Sequence, residues 1–289
     1  MPTQELNREL DAARDAGPVK DIVIPPCPQL LVQLQDELSQ ADPNPQQVAA
    51  IAGSDVAMAA ALIKIANSAL YARREPARSV AQAIAMLGVK PTTTILTSFL
   101  LRNAIHIDPT LIEHFWESST RRSLAMAHIA QQMYGVDVEM AKICGLFLHV
   151  GIAVMLQGVR GYSGTLIEAM ARRDRTFVET ENAVHRTDHA VVGAIVAKTW
   201  HLPAAVVHAV RLHHDFAVLP DASVPEEVRQ LVAIAAIADH LVAHHEGVKD
   251  QREWSQSGPK CMAFLQISAN EVDTWVDELY PAFEAVVVV

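Results

Sequence analysis

Helix-opening signals recur along this chain, each followed by apolar residues at intervals of three and four, and that pairing restricts the possible folds more than any other feature. Asn44-Pro45-Gln46-Gln47 offers a capping side chain, a proline in the first turn and a glutamine to reach back. Ser79-Val80-Ala81-Gln82, Ser223 to Glu226 and Ser268 to Glu271 repeat the Ser-x-x-Glu/Gln box. Between Ser54 and Tyr71 the apolar Met58, Leu62, Ile65, Ala66, Ala69 and Leu70 form the stripe of an amphipathic helix. Gly88 closes the next helix and Lys90-Pro91 starts another. The same patterning predicts helices approximately over Thr110–Tyr134, Asp137–Val150, Thr165–Arg173, Asp188–Trp200, Pro203–His213, Pro225–His245 and Ala269–Ala285. No segment alternates with the period of two expected of a half-buried strand. Hydrophobic residues make up 51% of the sequence but aromatics only 5%, which suits helices packed closely through alanine, valine and leucine. An all-α fold is expected.

Four segments are predicted: a polar N-terminal extension over 1–23, an N-terminal helical lobe over 24–108, a second helical lobe over 109–246, and a loop with one last helix over 247–289. The lobe boundary is placed at His106-Ile107-Asp108-Pro109, where Asp-Pro breaks an apolar helix before a new one carrying Phe115 and Trp116. Gly247 to Pro259 reads as a polar loop, and Val286 to Val289 as a tail. The net charge of -10 disfavours a nucleic-acid binder, which must neutralise several phosphates. Cys27, Cys144 and Cys261 are odd in number and widely spaced, so buried free thiols are expected rather than disulfides or a zinc knuckle. The polar start of the chain has no signal-peptide run. Cys144–Leu156 is interrupted by His149 and Leu231–Ala238 ends at Asp239, both short of the roughly 20 residues of a membrane span. A cytoplasmic protein with no membrane association is the expectation.

The second lobe concentrates the histidines. His149 falls at a helix end, His185 and His189 lie four apart, His213 and His214 follow a helix, and Asp239 sits inside the next one. Imidazoles and carboxylates brought together from separate helices are how helical hydrolases hold a metal that activates water for phosphate-ester hydrolysis. Ordinary surface or core histidines are the competing reading, as His244-His245 illustrates, and His185 with His189 at helical spacing offers only a fortuitous ion site. Asn67 and Ser68, late in a helix, either bond a neighbouring helix end and so link the lobes or contact a ligand. Arg73 and Arg74 read as a solvated loop, and Arg172-Arg173-Asp174-Arg175 as an exposed helix end.

These residues resemble the HDOD domain family, output domains related to HD and HD-GYP metal-dependent phosphohydrolases. Ile24-Pro25-Pro26-Cys27-Pro28 is similar to the family's entry motif, Ile63 to Tyr71 to its most distinctive stretch, and Ser79 to Gly88 to the segment ending in a Leu-Gly stop. The second lobe matches the HD-like half through Phe115-Trp116, Gly145 to His149, Asp188-His189 with Val192-Gly193, Trp200-His201-Leu202-Pro203 and His213-His214. Together the matches run from about Ile24 to His245. The resemblance implies a two-lobed helical fold, an N-terminal helical lobe plus an HD-like helical bundle.

The resemblance also implies a site in which an early His two residues after the Trp, a His-Asp pair and a late Asp hold metal. Here Ser118 takes the first place and Val150 the Asp of the pair, while Asp239 matches the late Asp. A neutral Ser is a poor ligand and Val offers none, so no complete metal site and no catalytic residue is expected. His149, His189, His213, His214 and Asp239 remain as a ligand pocket, and as the candidate ligands if a single divalent metal is retained. The implied function is a non-catalytic bacterial signal-transduction module, taking its input from another chain and acting through a signalling protein or a small nucleotide-like ligand. The rivals are a phosphohydrolase acting on a nucleotide or cyclic dinucleotide through a rearranged His/Asp site, and a pure scaffold.

Overall fold

Local capping chemistry sets where several of the helices begin. Asn44 accepts from the Gln46 amide, Ser79 from the Gln82 amide, and Ser268 shares a reciprocal box with Glu271. Ser223 is the exception: it bonds Asp221, and Pro225 stands at the N-cap without a side-chain bond. The structure, a computed structural model, describes residues 3–286 apart from 72, 74, 108–113 and 250. Among these residues every regular element is helical. The helices are α1 (Thr3–Ala16), α2 (Gln29–Leu38), α3 (Pro45–Gly53), α4 (Val56–Ala66), α5 (Val80–Leu87), α6 (Val89–Ala104), α7 (Phe115–Gln131) and α8 (Val138–Phe147). There follow α9 (Val150–Gly158), α10 (Tyr162–Ala171), α11 (Phe177–His185), α12 (His189–Thr199), α13 (Ala204–Leu212), α14 (Glu226–His245), α15 (Arg252–Leu265) and α16 (Ala269–Glu284).

The chain divides into two compact units. One holds Pro26–Ala104, hence α2 to α6, with the segment from Pro281 onward. Its core is Leu31, Leu34, Val48, Met58, Leu62, Leu96 and Leu101, each almost fully buried. Within it Asn67 acts as a backbone mimic: its amide donates to the Ala77 carbonyl at 2.9 Å and accepts from the Ala77 amide at 2.7 Å. Both bonds stay inside this unit, so a lobe-linking role for Asn67 is not what they provide. Arg73 donates to the Met86 carbonyl from an exposed loop, and Arg74 lies outside the described residues.

The other unit holds Met1–Pro25 and Ile105–Tyr280. Much of the predicted lobe junction at Asp108-Pro109, and Val287 to Val289 of the predicted tail, lie outside the described residues. Three expectations are corrected here. The 1–23 segment is no mere extension: α1 buries Leu6 and Leu10, one turn apart, and packs on α12, because two leucines suffice to anchor an otherwise polar helix. Gly247 to Pro259 is not a continuous loop, since α15 starts at Arg252 and packs on α14 through buried Ser257, Gly258, Cys261 and Leu265, with Pro259 inside the helix. The helix predicted over Asp137–Val150 is α8 and ends early, at Phe147, because the chain turns at Leu148-His149 and Val150 already begins a further helix, α9.

The stretch Val138–Gly158 is long and apolar enough to cross a membrane, and 61% of it is buried within the fold, as in the core helix of a globular unit. Its second half crosses α12 at backbone contact. A Cβ on Gly151 would stand 1.9 Å from the His189 carbonyl oxygen and 2.7 Å from the Gly193 amide nitrogen. Any side chain there forces the two helices apart. Gly151→Ala is therefore expected to lower unfolding free energy by about 3 kcal/mol or more, at the top of the range for overpacked cores; a urea titration giving a loss below about 1 kcal/mol would show that the crossing tolerates a methyl group.

Candidate functional site

The α9–α12 crossing brings His149, the N-cap residue of α9, against His189, the first residue of α12. His149 Nδ1 lies 3.4 Å from His189 Nε2. His213 ends α13 and His214 follows it, and their Nε2 atoms lie 3.3 Å and 3.0 Å from His189 Nε2. On its other side His149 presents Nε2 to Asp239 of α14, at 3.1 Å from Oδ2 and 3.3 Å from Oδ1. His189, His213, His214, His149 and Asp239 thus converge from four helices and their ends.

Three of the imidazoles are held from behind. His189 Nδ1 lies 2.7 Å from Glu181 Oε2, His213 Nδ1 lies 2.7 Å from the Val210 carbonyl, and His214 Nδ1 lies 2.5 Å from Glu253 Oε1. Each acceptor is placed to receive a hydrogen bond from Nδ1–H, the tautomer that turns the Nε2 lone pairs of all three rings toward one another. Ligand atoms of the four histidines all lie within 4.8 Å of each other. Zinc with nitrogens at about 2.0–2.1 Å in a tetrahedron separates them by about 3.3–3.4 Å, close to the spacings here. The donor set therefore fits a divalent metal at His189, His213 and His214 with His149 beside them. The cavity of about 240 Å³ in front of it is lined by Arg122, Ile152, Phe177, Val242, Glu246 and Glu253 as well as by His149, His189, His214 and Asp239.

A family model for the HDOD domain matches residues 24–216, two thirds of the chain. This chain belongs to the HDOD family. An uncharacterized protein of Treponema pallidum is 25% identical to it over 277 residues, covering 95% of this chain and 52% of that one, so the chain spans about half the length of that curated relative. Solved structures share the fold. An HDOD-domain protein of Geobacter sulfurreducens superposes with a TM-score of 0.70 at 21% identity, covering 98% of this chain and all of that one. A candidate signal-transduction protein of Marinobacter aquaeolei superposes at 0.73 and 17% identity, covering 96% and 64%. A candidate phosphohydrolase of Shewanella amazonensis superposes at 0.71 and 17%, covering 96% and 95%.

Two positions singled out in the HDOD pattern have different surroundings. Val150, next to His149, is 1% exposed and packs its methyl groups toward Gly193. Ser118 on α7 bonds the His114 carbonyl and Glu246 rather than a histidine of the cluster. The α7 side chain that does reach the cluster is Arg122, one turn later, whose Nε donates to Asp239 Oδ1. His185 is corrected as well: Arg186 in the left-handed region (φ 53°) ends α11, so His185 and His189 lie on different helices, and His185 bonds Thr165.

Sequence reasoning missed Arg122, Glu181, Phe177 and Glu253. Arg122 sits in the same i, i+3, i+4 row as the buried Ser119, Ser123 and Met126, a periodicity that marks it as inward-facing. Glu181, 0% exposed, receives a hydrogen bond from the Tyr162 hydroxyl as well as from His189; nothing local in the sequence announces that pairing. Cys144 and Cys261 are buried free thiols and Cys27 is half-buried.

Electrostatically the HDOD site is divided. Burial, reinforced by the Arg122 charge, pushes His149 down to about 3 against the pull of Asp239. Burial and the neighbouring histidines push His213 well below its usual value. At His214 burial also opposes the charged form, but Glu253 outweighs it and the net shift is upward. Burial works against the Asp239 carboxylate too, yet Arg122 and His149 overcome it and hold it well below the usual range. A histidine lowered in the folded state binds its proton first in the unfolded chain, so His149 and His213 contribute stability above pH ~6.5 that is lost as pH falls toward their folded values. His214, shifted the other way, contributes a constant amount below ~6.5. Metal-free protein is expected to lose about 1 kcal/mol of unfolding free energy between pH 6.5 and 5.5 from His149, with a further loss of the same sign from His213. Chemical denaturation at the two pH values measures it, and an unchanged midpoint would contradict the neutral assignment of both rings.

Proposed function

We propose that this chain is a non-catalytic signal-transduction module, working in the cytoplasm through a small ligand at the histidine pocket or a signalling protein. The observation that carries this reading is Val150. Beside His149, where the family resemblance calls for the Asp of a His-Asp metal-ligand pair, stands a buried side chain with no donor atom. Without that carboxylate, a metal held here would lack both a ligand and the negative charge that offsets its own. The cavity mouth supports the same reading: Asp239, Glu246 and Glu253 line it, and Arg122 is engaged by Asp239, an arrangement that disfavours the phosphates of a nucleotide substrate.

A second reading, a single-metal centre, is favoured by the three Nδ1 anchors on His189, His213 and His214. These residues would hold the ion, and Glu181 and Glu253 would fix the rings. A divalent ion there would supply charge and polarise a bound water. The chain's own side chains supply orientation and exclude bulk water through Phe177 and Ile152.

Protein supplied with manganese, iron or zinc and assayed against bis-p-nitrophenyl phosphate, nucleoside phosphates and cyclic dinucleotides is expected to show no turnover above the metal-free background. Turnover that disappears in His149→Ala would overturn the non-catalytic reading. For the single-metal reading, one equivalent of zinc is expected by titration calorimetry and none in His213→Ala.

A further inference from the structure

We propose that the Arg122 guanidinium is a tethered cation standing where a second metal would otherwise bind Asp239 and His149, so that this site admits one divalent ion and not a pair. The inference rests on the single-metal reading for the first ion, but its own evidence is separate. Arg122 projects from the inward face of α7 and is 8% exposed, a degree of burial rare for arginine unless a charged partner is met. That partner is Asp239, the carboxylate already in contact with His149 Nε2. Asp239 Oδ1 receives the arginine Nε and Oδ2 faces the imidazole, so both oxygens are in use. A metal at this carboxylate must displace the guanidinium or share its face, and two cations on one carboxylate at such range repel.

The charge count points the same way. Three carboxylates touch the cluster's imidazoles, those of Glu181, Glu253 and Asp239. Among the described residues Arg122 is the guanidinium that meets this set. With the imidazoles neutral, as ligation of a metal requires, two negative charges are left, and one divalent ion at His189, His213 and His214 cancels them. A second divalent ion beside Arg122 would leave the buried cluster with an excess of two positive charges, which the interior does not accommodate without paired anions. Removing the guanidinium restores the deficit and frees the Asp239–His149 pair as ligands.

The test is zinc and manganese stoichiometry, by calorimetry and by metal analysis after gel filtration, on the full chain. The parent protein is expected to hold one equivalent, Arg122→Ala two, Arg122→Lys one, and Arg122→Ala combined with Asp239→Asn one. Arg122→Gln, which keeps length and hydrogen bonding while removing the charge, is the second variant and is expected to gain an equivalent as well. No gain in Arg122→Ala or Arg122→Gln, with the parent still binding one ion that His213→Ala abolishes, overturns the tethered-cation proposal and leaves the single-metal reading standing. A parent that binds none overturns the single-metal reading and the one-ion count with it; one equivalent then gained in Arg122→Ala and lost again with Asp239→Asn leaves standing only the exclusion of metal from Asp239 by the guanidinium.

Discussion

The backbone contact between α9 and α12 sets the position of everything at the site. Gly151 lies so close to the His189 carbonyl that only a hydrogen fits between the helices, and Gly193 answers it from the other side. Because His149 caps α9 and His189 begins α12, this one crossing fixes the distance between the two rings around which the rest gather. His213 and His214 then need only the end of α13, and Asp239 only one position on α14. Helix ends, where the chain turns and side chains are free of i+4 neighbours, thus supply four of the five converging groups, while the helix bodies provide stiffness.

Burial makes the site an electrostatic problem that the surrounding residues solve by pairing. Glu181 is fully enclosed, yet it receives the Tyr162 hydroxyl and the His189 ring. Asp239 is met by both a guanidinium and an imidazole. Removing one member of such a buried pair leaves the other exposed to the full desolvation penalty. Rigidity follows from the same source. Each ring of the cluster has one nitrogen committed to an acceptor, so its orientation is fixed before any ligand arrives.

How far all this is legible in sequence depends on whether the signal is local. Asn44, Ser79 and Ser268 announce their helices because a cap acts over three residues. The convergence of His149, His189, His213, His214 and Asp239 was readable through the motif order of the family, not through spacing. That His149 ends a helix was readable, but α9 directly after it was not, since α8 and α9 are both apolar and the sequence runs through without a glycine or proline at the joint. Arg122 was overlooked because Arg121-Arg122 reads as a charged surface pair, and only tertiary packing turns one of them inward. Likewise α15 reads as a loop when its polar face is counted and its buried Ser257, Gly258, Cys261 and Leu265 are not.

Glu253 and Asp239 both lie beyond residue 216, where the segment shared with the HDOD family model ends. The recognisable family segment therefore carries all four imidazoles but only one of the three carboxylates that touch them. The segment matched by the family model and the set of groups that completes the pocket electrostatically thus have different boundaries. In this chain the charge of the pocket is set largely by what α14 and α15 place against the histidines.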